Sequence, residues 1–180
     1  LICLVDKEYP IKEPVKQVKF IEQSNVSVGW SLLAEMWRPD ITSDRRITIG
    51  LDTIIMDNID DILEIDNDIA MLTDPMQTDK VCNAITWCSS ETAAYIWDVW
   101  TNKREWVYEN CRYIENAVSE MVLLRKLFDQ DGEALRVDNI HEGIYSYKVH
   151  IIENPDLIEN AKIIYFHGEP KPHELGAHPV

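Results

Sequence analysis

Two short β-branched runs set the limits on how this chain can fold. One lies inside "RRITIGLDTIIM" at 45–56, the other inside "KIIYFHGEPKPHE" at 162–174. Apolar runs of this kind, bounded by Gly, Pro and charge, read as buried strands rather than helices. Further strands are expected at 1–5 ("LICLV"), 69–72 and 84–87, with a short edge strand over 15–21. Helical spacing puts Trp30, Leu33 and Trp37 on one helix that Pro39 stops. "DNIDDILEI" predicts a short acidic helix. Ser90 opens a longer helix carrying Ala94, Trp97, Val99 and Trp100, and a further helix covers 114–128. After Gly132 the chain loops, with short strands around Leu135 and Tyr145. Strands alternating with helices define an α/β chain with a mostly parallel sheet flanked by helices. Its 180 residues are expected to form one domain with a sizeable core.

Charge and cysteine usage narrow the function classes. A formal charge of -15 repels a phosphate backbone, and Arg45-Arg46 is only a lone basic pair, so nucleic acid is not an expected partner. No apolar run has the length of a membrane span, and no signal peptide is visible. Cys3, Cys82, Cys88 and Cys111 form no C-x-x-C pair and show no zinc-like spacing. They read as buried, reduced thiols of a cytoplasmic protein. A chain that opens on a buried strand without Met is expected to continue before Leu1. The acids Asp57, Asp60, Asp61, Glu64, Asp66 and Asp68 lack the Gly and final Glu of an EF-hand loop, so they read as a solvated helix. Trp97 and Trp100 read as core aromatics rather than sugar-stacking platforms. His141, His150, His173 and His178 have no partner that the sequence identifies.

Two strand ends carry chemistry. Asp52 follows the run at 47–49 as a single charge between Leu51 and Thr53. A carboxylate at the carboxyl end of a strand stands where α/β sheets place ligands, although an Asp that caps a turn through its backbone looks the same in sequence. His167 follows the run at 163–166. Gly168 lets backbone approach a ligand, and Pro170 and Pro172 stiffen the chain around Lys171, whose point charge suits a diphosphate. The alternative is a surface turn with a solvated Lys. Taken together, carboxylate oxygen and imidazole nitrogen suit Mn²⁺ (or Mg²⁺), and a divalent ion lets an acidic protein hold an anionic diphosphate.

At this point the chain resembles the GT-A glycosyltransferases, in particular the glycogenin-like retaining group (glycosyltransferase family eight) and its bacterial and phage relatives. The resemblance rests on "GLD" at 50–52 as a degenerate D-x-D and on "HGEPKP" at 167–172 as the H-G-x-x-K-P element. It is extended by "VGWSLLAEMWRP" at 28–39, "NAITW" at 83–87 and "IYSYK" at 144–148. It implies a GT-A-like fold whose first strand-helix unit, the one that holds the nucleotide base, has no counterpart before Leu1. It also implies metal ligation by Asp52 and His167, and donor diphosphate binding by Gly168 and Lys171. Asn83 and Glu120 are its candidates for the donor-sugar and catalytic positions. Two departures stand out: Gly50 replaces the first Asp of the D-x-D, and Leu33 replaces a Lys.

The expected function is transfer of a sugar from a nucleotide-sugar donor, a UDP-sugar, with Mn²⁺, to an unknown glycan, lipid or protein acceptor. The alternative is a catalytically silent GT-A-like module that binds a glycan or a protein.

Overall fold

A computed structural model of the chain describes residues 1–5, 7–10, 14–21, 32–113, 117–129 and 134–175. The chain divides into two compact units, the first built from 1–44 and 90–126, the second from 45–89 and 127–180.

In the first unit, strand β1 (Ile2–Val5) pairs in parallel with β2 (Lys16–Lys19), in the register Ile2↔Lys16 to Val5↔Lys19. A 3-10 helix follows at Leu32–Trp37 and ends just before Arg38 and Pro39. The buried Arg38 guanidinium ties this corner together. It donates to Glu35 at 3.0 Å, to Asp40 at 2.6 Å and to the Lys19 carbonyl at 3.0 Å, while Glu35 also accepts the Ile21 N–H at 2.6 Å. Among the described residues α1 (Asp60–Leu63) belongs to the second unit, whereas α2 (Ser90–Asn102) and α3 (Arg104–Asn110) belong to the first. Helix α4 (Glu120–Phe128) spans the boundary. Helix α2 buries Ala93, Ile96, Val99 and Trp100. That stripe differs from the expected one: Ala94 is exposed and Trp97 only half-buried.

The second unit holds two sheets. β3 (Arg46–Ile49), β5 (Ile69–Thr73), β6 (Val81–Cys88) and β7 (Leu135–Arg136) form one, in the order β3-β6-β5-β7. β4 (Thr53–Ile55), β8 (Ile144–Ser146) and β9 (Ile163–Tyr165) form the other, in the order β4-β9-β8. Ile62, Leu72, Ile85, Trp87, Val137, Ile163 and Tyr165 share one core cluster, and the Trp87 indole N–H donates to the Ile62 carbonyl at 2.8 Å. Burying a large aliphatic or aromatic side chain contributes about 1.5–3 kcal/mol, so this cluster anchors both sheets.

The α/β class holds, with mixed rather than mostly parallel sheets. β6 runs antiparallel to β3 and β5, and β4 antiparallel to β9, while β5-β7 and β8-β9 are parallel. The run at 45–56 is two strands in different sheets. Gly50 continues the first by donating to Ala84 at 3.0 Å, and Thr53 then opens the second against Tyr165. Leu1 and Ile2 are exposed, so the opening strand buries only Val5 fully. The acids at 57–68 are solvent-exposed as expected, with Ile62 and Ile65 buried between them. Cys82, Cys88 and Cys111 are buried free thiols, and burial pushes Cys88 up to about 12 and Cys111 up to about 11. Trp30, Gly132, His178 and the expected helix start at 114 lie outside the described residues.

One glycine controls entry into the three-stranded sheet. Gly143 has φ 86°, and its carbonyl accepts the N–H groups of Lys162 and Ile163 at 2.8 and 3.0 Å. A β-carbon there would lie 2.9 Å from the Asn160 carbonyl oxygen. Gly143→Ala is therefore expected to destabilise the chain by roughly 1–3 kcal/mol, visible as a lower denaturation midpoint with an unchanged m-value.

Candidate functional site

The order β4-β9-β8 collects chemistry at one end of a sheet. β9 is central, antiparallel to β4 and parallel to β8. The residues before β4, after β8 and after β9 therefore meet at the same edge. They are Asp52, the segment from Ser146 to His150, and the segment from His167 to Lys171. The Phe166 N–H donates to the Asp52 carbonyl at 2.8 Å, which extends the β4-β9 ladder by one residue. The D-x-D-like segment and the His-Gly segment are thus neighbours, as their resemblance to a shared site implies.

Asp52 and Lys171 form an ion pair across 119 residues of chain. Both side chains are one-third exposed. The Lys171 backbone N–H donates to Glu174 at 2.6 Å, and a 3-10 turn, Pro172–Leu175, follows. Gly50 lies beside this pair: a β-carbon there would be 3.7 Å from Asp52 Oδ1 and 3.6 Å from the Ala84 carbonyl, both ordinary contacts. Asn83 comes close through a different device. The β5-β6 register shifts between Met71, opposite Thr86, and Leu72, opposite Cys82. Residues 83–85 bulge out of that ladder, and continuing the β3-β6 register past Gly50 and Ala84 brings Asn83 across from Leu51. Bulges of this kind commonly re-aim a side chain beside a site.

His167 is held from the neighbouring strand. Its Nε2 lies 2.8 Å from Ser146 Oγ, a fully buried hydroxyl that also accepts the Val149 N–H at 3.2 Å. Where Nε2–H donates to Ser146, Nδ1 keeps a lone pair for another ligand. Burial first, and then the Lys148 ammonium, hold the His167 pKa below its ordinary value, so the ring stays neutral at neutral pH. The Ser146 N–H donates to His150 Nδ1 at 2.9 Å. Gly168 adopts φ 67°, and a β-carbon there would lie 3.9 Å from Lys148 Nζ. Sequence reasoning found the 144–148 segment by resemblance only. The roles of Ser146 and Lys148 follow from the β8-β9 pairing, which no local pattern announces.

Glu120 belongs to the first unit. It opens α4 in the first unit, is fully buried, and accepts the Trp37 indole N–H at 3.0 Å. Leu33, where the resemblance leads one to expect a Lys, is exposed in the same unit. The other histidines also acquire contacts: His141 Nδ1 lies 3.5 Å from Asp61, which also pairs with Lys162 at 2.8 Å.

The donors present define what metal they could hold. Among the described residues, no three His, Cys, Asp or Glu side chains converge on one point. Asp52 and His167 supply two donors on adjacent segments, and Asp52 is balanced by Lys171. Such a set fits a divalent ion whose remaining positions come from a ligand's oxygens, not one held by protein alone.

Comparison with known structures gives the fold a context. The crystal structure of the glycosyltransferase GlyE from Streptococcus pneumoniae TIGR4 matches with a TM-score of 0.58 at 15% identity, and its apo form with 0.53 at 16%. Each match covers 92% of this chain and 43% of the solved one, so the chain spans under half the length of these neighbours. The chain thus has an α/β fold shared with a glycosyltransferase. No protein-family model and no curated protein matches it. Among the described residues, no helix is long and apolar enough to cross a membrane.

The buried Glu120 makes a separable prediction. Glu120→Ala strands the Trp37 N–H and should cost about 1–3 kcal/mol in chemical denaturation. Glu120→Gln keeps an acceptor and should fold nearly as well as the native chain. A Gln variant that unfolds as readily as the Ala variant would show that the carboxylate's charge, and not only its acceptor oxygen, holds this corner.

Proposed function

We propose that this chain binds the donor of a glycosyltransferase, a UDP-sugar, and transfers its sugar to a glycan, lipid or protein acceptor. The observation that carries this reading is the meeting of Asp52, His167, Gly168 and Lys171 at one sheet edge, in a fold shared with a glycosyltransferase. The glycogenin-like group is the family that the "HGEPKP" element fits best.

Each residue has a role in this scheme. Lys171 exchanges Asp52 for a diphosphate oxygen. Gly168, with no side chain and a left-handed backbone, lets the diphosphate approach the main chain. Asp52 and the free nitrogen of His167 would hold Mn²⁺ (or Mg²⁺), which neutralises the diphosphate as it leaves the sugar. Asn83, on its bulge, faces the donor sugar. The ion pair is half-solvated and contributes at most about 1 kcal/mol. Charge-assisted bonds to a diphosphate, at about 1.5–3 kcal/mol each, outweigh it. Gly50 supports a second reading, a silent module that binds without turnover, because it removes one of the two carboxylates of a D-x-D.

Three measurements test the reading. Lys171→Ala should weaken UDP binding severalfold and shift stability by less than about 1 kcal/mol, because the side chain is partly solvated. A variant that unfolds while UDP affinity is unchanged would make Lys171 structural. Calorimetry should also show Mn²⁺ and UDP each raising the other's affinity by the same factor. Gly50→Asp places a second carboxylate beside Asp52 without strain, since Gly50 has no left-handed backbone, and should tighten Mn²⁺ binding without nucleotide. If neither protein binds Mn²⁺ under saturating UDP, the transferase reading fails and the silent module replaces it.

A further inference from the structure

We propose that Lys148 is a second anion grip of this site, which holds a phosphate group over Gly168 without any divalent ion. The proposal rests on the diphosphate reading of the site and adds to it a residue and an order of events.

Three observations carry it. First, the position a Gly168 β-carbon would occupy has Lys148 Nζ at 3.9 Å, and apart from chain neighbours no other atom of the described residues comes within 4 Å. The space above the bare α-carbon is therefore open and walled by an ammonium. Second, among the described residues that ammonium makes no hydrogen bond and no ion pair. The chain has 32 acids against 17 Lys and Arg, so a lysine left uncompensated here is against the balance of the sequence. Third, the backbone that bears Lys148 is fixed on both sides. Lys148 lies in a π-helical turn, Tyr147–Ile151, and such turns recur at functional sites. Ser146 Oγ caps the turn at Val149, and the Tyr147 ring stacks on Phe166 at 4.6 Å and 16°.

Lys148 and Lys171 then differ in kind. Lys171 is neutralised by Asp52, so giving it to an anion strands a carboxylate unless a cation replaces it. Lys148 has no such debt. An anion can dock on Lys148 and Gly168 first, and Lys171 joins when a divalent ion takes over Asp52.

Isothermal titration with inorganic pyrophosphate at low ionic strength, in EDTA and then in Mn²⁺, tests this on the full chain. UDP with Mn²⁺ serves as a parallel arm. In EDTA the native chain should bind pyrophosphate, Lys148→Gln should lose at least about tenfold, and Lys148→Arg should keep most of the affinity. Lys148 is exposed, so its variants should fold, as circular dichroism will show. If Lys148→Gln stays within twofold of the native chain, the proposal is overturned. It is also overturned if pyrophosphate binds only with Mn²⁺ while UDP with Mn²⁺ binds normally, and the transferase reading then stands without it. Lys148-dependent pyrophosphate binding in a chain that takes no nucleotide sugar would uphold the anion grip and remove the transferase reading.

Discussion

The hydrogen bond from the Phe166 N–H to the Asp52 carbonyl is the contact on which the site depends. It is one rung beyond the last paired residues of β4 and β9, Thr53 and Tyr165. It carries the β4-β9 pairing onward to the segments that hold Asp52 and His167, which the Asp52–Lys171 ion pair then joins again. The rung is itself held by packing. Tyr165 lies in the main core cluster of its unit, and Phe166 is buried against Tyr147 in a smaller one. Core burial thus sets the position of a backbone bond, and the backbone bond sets the position of the polar groups. Because β8 runs parallel to β9, the same arrangement delivers Ser146 and Lys148 to that edge.

At that edge the charges fall into two groups. Asp52 and Lys171 neutralise each other and can exchange partners at little cost, since a half-solvated pair contributes so little. His167 is kept neutral by burial and by the nearby ammonium, and its Nε2 is engaged by Ser146. Lys148, beside Gly168, makes no ion pair among the described residues. A chain of net charge -15 repels anions over its surface as a whole, and a local excess of positive charge is what lets one approach here.

Much of this was legible in the sequence, and the rest was hidden for physical reasons. The β-branched runs, the Ser90 helix and the solvated acids from 57 to 68 carry local signals strong enough to read. The direction in which strands pair carries none, so an alternation that suggested a mostly parallel sheet yields mixed ones. The run at 45–56 looks like one strand because both halves are β-branched; only hydrogen bonding to Ala84 on one side and Tyr165 on the other divides it. The phase of α2 was missed because Trp97 outweighs Ala93 and Ile96 in any reading by bulk, yet the smaller residues face the interior. Asp52, His167, Gly168 and Lys171 were picked out as candidates because strand ends and a Pro-bracketed Lys advertise themselves. Ser146 and Lys148 were not, since only the pairing of β8 with β9 brings them near His167. Glu120 was chosen by alignment, and its bond to the Trp37 indole is something no local pattern announces.

Gly50 and Lys148 can be understood as two sides of one change in the site. A carboxylate at position 50 would stand next to Asp52 Oδ1, since even its β-carbon would be only 3.7 Å away. Two carboxylates so close would repel each other and demand a cation before any anion could enter. With Gly at 50, one carboxylate faces Lys171, and Lys148 adds a positive charge that nothing described offsets. The empty site therefore starts out attractive to a phosphate rather than to a metal ion. On the donor-site reading proposed above, a Gly at position 50 does not by itself silence the site. It reverses which ligand the site can accept first, and transfers to lysine side chains part of the charge neutralisation that a tightly held ion would otherwise provide.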